Sequence, residues 1–146
     1  MEIQMREDEL TQFLAKVFPQ AAPQFEVLAL EPMKARVRLK VTEDHLRPGG
    51  TVSGPSMFAL ADVSMYIAVL AMIGPKALAV TTNLNIDFMR KPVADKDLIG
   101  VCTLHKLGKS LAVGDVLLYS EGSDKVVARA SSTYSLPQNP AHQGIG

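Results

Sequence analysis

The sequence of 146 residues lacks tryptophan and contains one cysteine, three histidines and few aromatic residues (5%). The single Cys102 excludes an internal disulfide framework. The histidines, His45, His105 and His142, are scattered and show no spacing typical of a metal site, so we expect neither a metal nor another cofactor. The N-terminal residues are polar and lack the apolar segment of a secretory signal. Together with the lone thiol, this predicts a reducing, cytoplasmic setting.

Neither sign of charge is in excess, because 15 basic and 15 acidic residues give a formal net charge of zero. This balance argues against a nucleic-acid partner that is bound through bulk charge, and it gives little repulsion between copies of the chain. One apolar run, residues 57–73, is short for a membrane span and includes Asp62. A carboxylate at the bilayer midplane costs about 3 kcal/mol. We therefore interpret this run as a core helix and expect no association with a membrane.

Alternation and spacing predict the remaining elements. Residues 7–18 carry apolar residues at helical spacing and stop before Pro19, which predicts an amphipathic helix. We divide the chain into this helix and a connector (1–22), one domain (23–136) and a flexible tail (137–146). Period-two patterns predict strands at residues 25–29, 34–41, 80–88, 97–107, 110–121 and 125–136.

Strands that follow one another without intervening helices indicate an antiparallel sheet. The helix in the middle of the chain begins at Pro55 and ends at Gly74, and it is apolar on nearly every face. We therefore predict an α+β fold in which five to six antiparallel strands curl around one long helix buried nearly all round. The open edge of such a sheet is suited to dimerisation through strand pairing.

Asp62 is the most informative residue, because it is a carboxylate inside an otherwise apolar helix. None of the residues three or four positions away is basic, so no ion pair forms along the helix. Burial of a carboxylate is costly and makes it a stronger base, which suits general-base catalysis near neutral pH. An equally good interpretation is that Asp62 accepts hydrogen bonds from a neighbouring element and only fixes the packing register.

The junction Ser53-Gly54-Pro55 lies at the N-terminus of the same helix. Free backbone N–H groups and the positive end of the helix dipole suit a developing oxyanion there. Gly54 keeps its N–H and allows close approach, whereas Pro55 has no N–H. Capping of the helix by Ser53 is the simpler explanation when this junction is taken by itself.

Four segments resemble the PaaI-like acyl-CoA thioesterases of the hotdog superfamily. They follow the order of that family between residues 25 and 136, and they read GTVSGPSMFALADVS, VTTNLNIDFMRKP, LGKSLAVGDVLLYS and KVVARASSTYSL. The resemblance implies a hotdog fold and a homodimer, or a dimer of dimers, that hydrolyses acyl-CoA without a cofactor. It identifies Asp62 as the catalytic carboxylate, which activates water or attacks the thioester directly.

The same resemblance assigns Gly54, contributed by the other protomer, to the oxyanion hole. Thr81 and Ser53 would position the water or the substrate. The substrate-binding residues implied near the phosphates and the thioester of CoA are Arg47, Pro55, Arg90, Lys91 and Lys109. An exposed basic residue is by itself more simply explained as solvated.

Three positions depart from the family pattern. Ser53 replaces its histidine, Pro55 its second glycine and Arg47 its usual asparagine. Ser53 donates a hydrogen bond but does not titrate near neutral pH. A hotdog protein that binds acyl-CoA without hydrolysing it, as a sensor or carrier, is therefore the alternative hypothesis. A hydratase or dehydratase is a third, although no histidine lies near Asp62 in sequence. The residues leave the choice open among small, medium and aryl-acyl groups.

Overall fold

The computed structural model describes residues 2–138, which form six strands and two α-helices. The elements, in chain order, are α1 (Glu7–Val17), β1 (Phe25–Glu31), β2 (Lys34–Leu39), α2 (Gly54–Ile73), β3 (Val80–Phe88), β4 (Leu98–Leu107), β5 (Leu111–Ser120) and β6 (Val126–Ser135). All strands pair antiparallel in one sheet, in the order β1-β2-β4-β5-β6-β3. The predicted α+β architecture is confirmed, with six strands around one long helix.

The helix α2 is bounded by the residues that the sequence indicated. The Ser53 side chain accepts a hydrogen bond from the Ser56 N–H at its start, and Pro55 lies in its first turn. It ends at Gly74, whose φ of 92° few other residues adopt and whose N–H donates to the Leu70 carbonyl. Its second half is buried without interruption from Ser64 to Met72.

The first half of α2 differs from the prediction of burial nearly all round. Pro55, Phe58 and Ala59 are exposed, and Asp62 and Val63 are only half-buried. These residues recur at helical spacing, so they form one stripe that the chain's own sheet does not cover. Asp62 therefore lies on the open face of the helix and not in the sealed core.

Gly100 of β4 allows α2 to pack close to the sheet. A Cβ built on Gly100 would lie 2.5 Å from the Ser64 Oγ, so a larger residue would push the helix away from β4. The helix is long and apolar enough to cross a membrane, but 67% of its most apolar window is buried inside the fold. This burial agrees with its interpretation as a core helix.

The two edges of the sheet differ in whether another element covers them. At the β1 edge, the Leu30 N–H donates to the Glu7 carboxylate of α1, and α1 packs there through Leu10 and Leu14. At the β3 edge, Val80 is 55% and Phe88 is 53% exposed. An uncovered edge with apolar residues is a template for pairing with another strand.

The loops lie at the predicted positions, but the end of β2 and the connection before α2 differ from the prediction. The strand predicted to reach residue 41 ends at Leu39, because the Val41 N–H donates to the Asp97 carboxylate and not to a neighbouring strand. The connection before α2 contains a 3-10 turn (Glu43–His45), in which buried His45 bonds to Gln24. Most of the predicted flexible tail (137–146) lies outside the described residues.

Candidate functional site

Asp62 is held by two hydroxyl groups from the sheet. The Thr81 hydroxyl of β3 donates to Asp62 Oδ1 over 2.5 Å, and the Tyr134 hydroxyl of β6 lies 3.0 Å from the same oxygen. Tyr134 also lies 3.2 Å from the backbone carbonyl of Asp62, so its single proton is shared between two acceptors. Among the described residues, no group donates to Oδ2. One carboxylate oxygen therefore receives both hydrogen bonds, and the other receives none from the part of the chain that the structure describes.

Tyr134 is a site residue that the sequence analysis missed. It is only 3% exposed, and its ring stacks on that of Tyr66, with centroids 6.2 Å apart. Burial, followed by the negative charge of Asp62, raises the pKa of Tyr134 above its usual value, so the hydroxyl stays protonated and remains a donor. Tyr66 donates its own hydroxyl to the Ala77 carbonyl and makes no hydrogen bond to Asp62.

A mostly apolar pocket of about 260 Å³ opens beside Asp62. Its lining consists of Val17, Phe18, Asp62, Val63, Tyr66, Ala77, Ala79, Val80, Thr81 and Tyr134. No lysine, arginine or histidine is among them, so its polar side-chain groups are the Asp62 carboxylate and the hydroxyls of Tyr66, Thr81 and Tyr134. The end of α1 and the residue that follows it supply Val17 and Phe18, which makes the N-terminal helix part of the site.

A second cleft of about 380 Å³ lies at the other end of β3 and at the start of α2. It brings together four predicted site residues, Arg47, Gly54, Arg90 and Lys91. Gly54 faces the ring of Phe88, since a Cβ built on Gly54 would lie 3.3 Å from the Phe88 ring. The cleft therefore has an accessible backbone at a helix N-terminus and three positive charges.

The other predicted site residues lie outside the two pockets or already make hydrogen bonds within the chain. The Ser53 Oγ accepts from the Ser56 N–H at 3.3 Å and donates to the Ser56 Oγ at 3.0 Å, so it serves as a helix cap. Pro55 is exposed beside it. Lys109 lies in the β4–β5 turn, at the same end of the sheet as Val80 of β3, whereas Arg90 and Lys91 follow the Phe88 end of β3.

Gly54 and Asp62 do not meet within one chain. They are eight positions apart on α2, which at 1.5 Å per residue is about 12 Å along the helix axis. Gly54 lies at the first helical position, and its N–H makes no hydrogen bond within residues 2–138. A single carbonyl group is too small to contact both residues of the same chain.

Comparison with known proteins identifies the superfamily to which the chain belongs. Residues 49–127, more than half of the chain, match the thioesterase superfamily. The chain belongs to this superfamily. A crystal structure from Silicibacter sp., described provisionally as a thioesterase, is 57% identical and superposes with a TM-score of 0.88, covering 94% of this chain and 95% of its own. The predicted hotdog fold is confirmed.

Two further relatives bear on the particular branch of the superfamily. A mutant of the phenylacetic acid degradation protein PaaI from Thermus thermophilus is 28% identical, with a TM-score of 0.69 over 82% of this chain and 99% of that protein. Human acyl-coenzyme A thioesterase 13 is 26% identical over 124 residues, which are 84% of this chain and 86% of the human protein. The resemblance to the PaaI-like thioesterases is confirmed.

Proposed function

We propose that the protein hydrolyses an acyl-CoA thioester to a free acid and CoA, with Asp62 as the catalytic base. The observation that carries the proposal is the asymmetry of the Asp62 carboxylate at a mostly apolar pocket: Oδ1 is bound by two hydroxyls, and Oδ2 has no donor among residues 2–138. Membership of the thioesterase superfamily and the similarity to human acyl-coenzyme A thioesterase 13 support the same reaction.

In this mechanism, Asp62 Oδ2 removes a proton from water, and the hydroxide oxygen forms a bond to the thioester carbon. The electron pair of the carbonyl moves to its oxygen, where the Gly54 N–H stabilises the oxyanion. The intermediate then collapses, the bond between carbon and sulfur breaks, and protonated Asp62 returns its proton to the CoA thiolate. In the direct variant, Asp62 attacks the carbon, the bond between carbon and sulfur breaks, and CoA leaves as the thiolate. Water then hydrolyses the resulting anhydride to the free acid and Asp62, and the proton released goes to the thiolate.

A homodimer completes the site. Gly54 and Asp62 lie about 12 Å apart within one chain, so each needs a partner group from elsewhere. The open β3 edge offers a place for antiparallel pairing with the β3 of a second copy. Such pairing brings the Val80 end, with the Asp62 pocket, next to the partner's Phe88 end, with its Gly54 cleft. The dimer of dimers stays a prediction.

The charges of the Gly54 cleft suit the phosphates of CoA. Arg47, Arg90 and Lys91 line it, and guanidinium groups bind phosphate oxygens with two donors at once. The Arg90 Nε donates to the Val126 carbonyl, which anchors that side chain and leaves its terminal nitrogens for a ligand. The same strand pairing moves Lys109 of one protomer toward the Phe88 end of the other.

The size of the Asp62 pocket supports a small, medium or aryl-acyl group. The pocket has a volume of about 260 Å³ and a mostly apolar lining, which suits an apolar chain or ring. The paired rings of Tyr66 and Tyr134 form part of its wall, which suits a planar or branched apolar group.

The test is release of CoA thiol from a panel of acyl- and aryl-acyl-CoA thioesters. Asp62→Asn is expected to lower kcat by about 100- to 10,000-fold, the usual contribution of a general base. Asp124→Asn, which changes an exposed carboxylate in the β5–β6 turn, is the matched control and is expected to match the parent. Equal turnover by Asp62→Asn and the parent would overturn the assignment of Asp62. Binding without thiol release on the whole panel would instead support the alternative hypothesis, a protein that binds acyl-CoA without hydrolysing it.

A further inference from the structure

We propose that Tyr134 is a positioning residue that, together with Thr81, fixes the Asp62 carboxylate so that its second oxygen faces the substrate. This inference rests on the proposed function of Asp62 as the base. Tyr134 lies in β6, 72 positions from Asp62 in sequence, and no sequence pattern assigned it a role.

The two donors reach Asp62 from one cross-strand pair. Thr81 of β3 and Tyr134 of β6 are register partners, and both hydroxyls point at Oδ1 of the carboxylate. Because the Tyr134 hydroxyl also contacts the backbone carbonyl of Asp62, it ties the side chain to the helix that carries it. Rotation of the carboxylate away from this position would break both hydrogen bonds, so the orientation of the carboxylate at the pocket is fixed.

The surroundings of Asp62 leave these hydroxyls as its principal polar partners. Its neighbours in the pocket come from α1 (Val17, Phe18), α2 (Val63, Tyr66), the segment before β3 (Ala77, Ala79), β3 (Val80, Thr81) and β6 (Tyr134). No basic residue lines that pocket, so no ion pair there substitutes for a lost hydrogen bond. Removal of one donor therefore leaves the carboxylate freer to rotate and less stabilised as an anion.

Tyr66 provides a matched control within the same ring stack. It packs against Tyr134 with an interplanar angle of 30°, and its hydroxyl goes to the Ala77 carbonyl. Tyr66→Phe and Tyr134→Phe each remove one hydroxyl from a buried tyrosine and keep the ring. Only the second change removes a donor from Asp62, so a purely structural role of the ring predicts similar effects for both.

The experiment measures kcat and KM for parent, Tyr134→Phe and Tyr66→Phe with the thioester that the parent hydrolyses best. Tyr134→Phe is expected to lower kcat by about 10- to 100-fold, the loss typical of one hydrogen bond to a charged group, with KM within about twofold. Tyr66→Phe keeps both donors to Asp62 but alters the wall of the same pocket, so its effect is expected mainly in KM, with a loss of kcat at least about threefold smaller than that of Tyr134→Phe. Each variant is assayed at a temperature at which circular dichroism shows it fully folded.

Two further readouts separate positioning from packing. The acid limb of the pH–rate profile should move to higher pH in Tyr134→Phe, because a carboxylate that loses a donor holds its proton more tightly. In an Asp62→Asn background, Tyr134→Phe should cause no further loss of kcat. An unchanged profile together with a parental kcat, or an equal loss in both backgrounds, overturns the role of Tyr134. If Asp62→Asn itself retains activity, the proposed function fails instead.

Discussion

Thr81 and Tyr134 are partners across β3 and β6, and their hydroxyl groups converge on the same oxygen of Asp62. A sheet that wraps a helix usually presents apolar side chains to it, and this pair is the exception at the half-buried stripe of α2. The polar contacts leave one carboxylate oxygen unoccupied beside a pocket. This relationship, more than the presence of a carboxylate in a helix, is what suggests catalysis at this position.

The Gly54 N–H is expected to stabilise the oxyanion, and two substitutions separate that N–H from the space around it. Gly54→Pro removes the N–H at the first position of α2 and, like Gly54→Ala, places a residue with a Cβ before Pro55. Gly54→Ala keeps the N–H and adds a Cβ near the Phe88 ring, as proline also does. We expect Gly54→Pro to lower kcat by about 100- to 1,000-fold, and Gly54→Ala to retain most of the activity.

Steady-state kinetics of thiol release measures this difference, and circular dichroism confirms that both variants keep the fold. Equal losses in the two variants would indicate that the added bulk beside Phe88 matters and that the N–H does not.

A site shared between protomers predicts complementation between two inactive variants. In a mixed dimer of Asp62→Asn and Gly54→Pro, one site combines Asp62 of one chain with Gly54 of the other and is intact, while the second site carries both defects. With random pairing, half of the dimers are mixed, so about a quarter of the parental activity should return. The measurement is thiol release after the two variants are unfolded and refolded together, with each refolded alone as the control.

Complementation fails in two distinguishable ways. No recovered activity in a preparation that sedimentation shows to contain dimers would contradict the shared site. A monomer by sedimentation at assay concentration, with full parental activity, would contradict the dimer itself.

Phe18 is expected to limit the length of the acyl group. Its ring is 43% exposed, lies just beyond α1 and forms part of the wall of the Asp62 pocket. Phe18→Ala should therefore shift the preferred substrate toward longer chains, with kcat/KM for the longest acyl-CoA of the panel rising about 10-fold relative to the shortest, the range that a few apolar contacts supply. Leu46→Ala, which truncates an apolar residue of similar exposure outside that pocket, is the control. A parallel change for all chain lengths would mean that Phe18 does not line the acyl site.

Local rules were sufficient to predict most of the fold. Strict alternation in residues 34–41 identified β2, and the glycine and proline residues around α2 marked both of its ends. The role of Tyr134 was out of reach, because it depends on the register between β3 and β6, which the sequence alone does not provide. Only the knowledge that Tyr134 lies opposite Thr81 in the sheet would have identified it as a second partner of Asp62.

Two other features required the three-dimensional arrangement. The open stripe of α2 is as apolar as its buried faces, apart from Asp62, so hydrophobicity does not distinguish them. The placement of Lys109 away from Arg90 and Lys91 follows from the direction of the strands, since a residue's charge carries no information about which end of the sheet it occupies.

The buried thiol of Cys102 predicts a loss of stability in mild alkali. Burial, followed by the charge of Asp115, raises the pKa of the Cys102 thiol to about 12, well above that of an unfolded cysteine. Between pH 9 and that value the unfolded chain releases this proton while the folded protein keeps it, so the free energy of unfolding falls as pH rises, by up to about 1.4 kcal/mol per pH unit. From pH 8 to pH 9.5, the parent should lose about 1 kcal/mol more than Cys102→Ala, measured by denaturant unfolding at both values. The alanine variant is less stable throughout because of the cavity, and only the two pH-dependent changes are compared. Parallel changes would show that the thiol ionises as readily in the folded protein as in the unfolded chain.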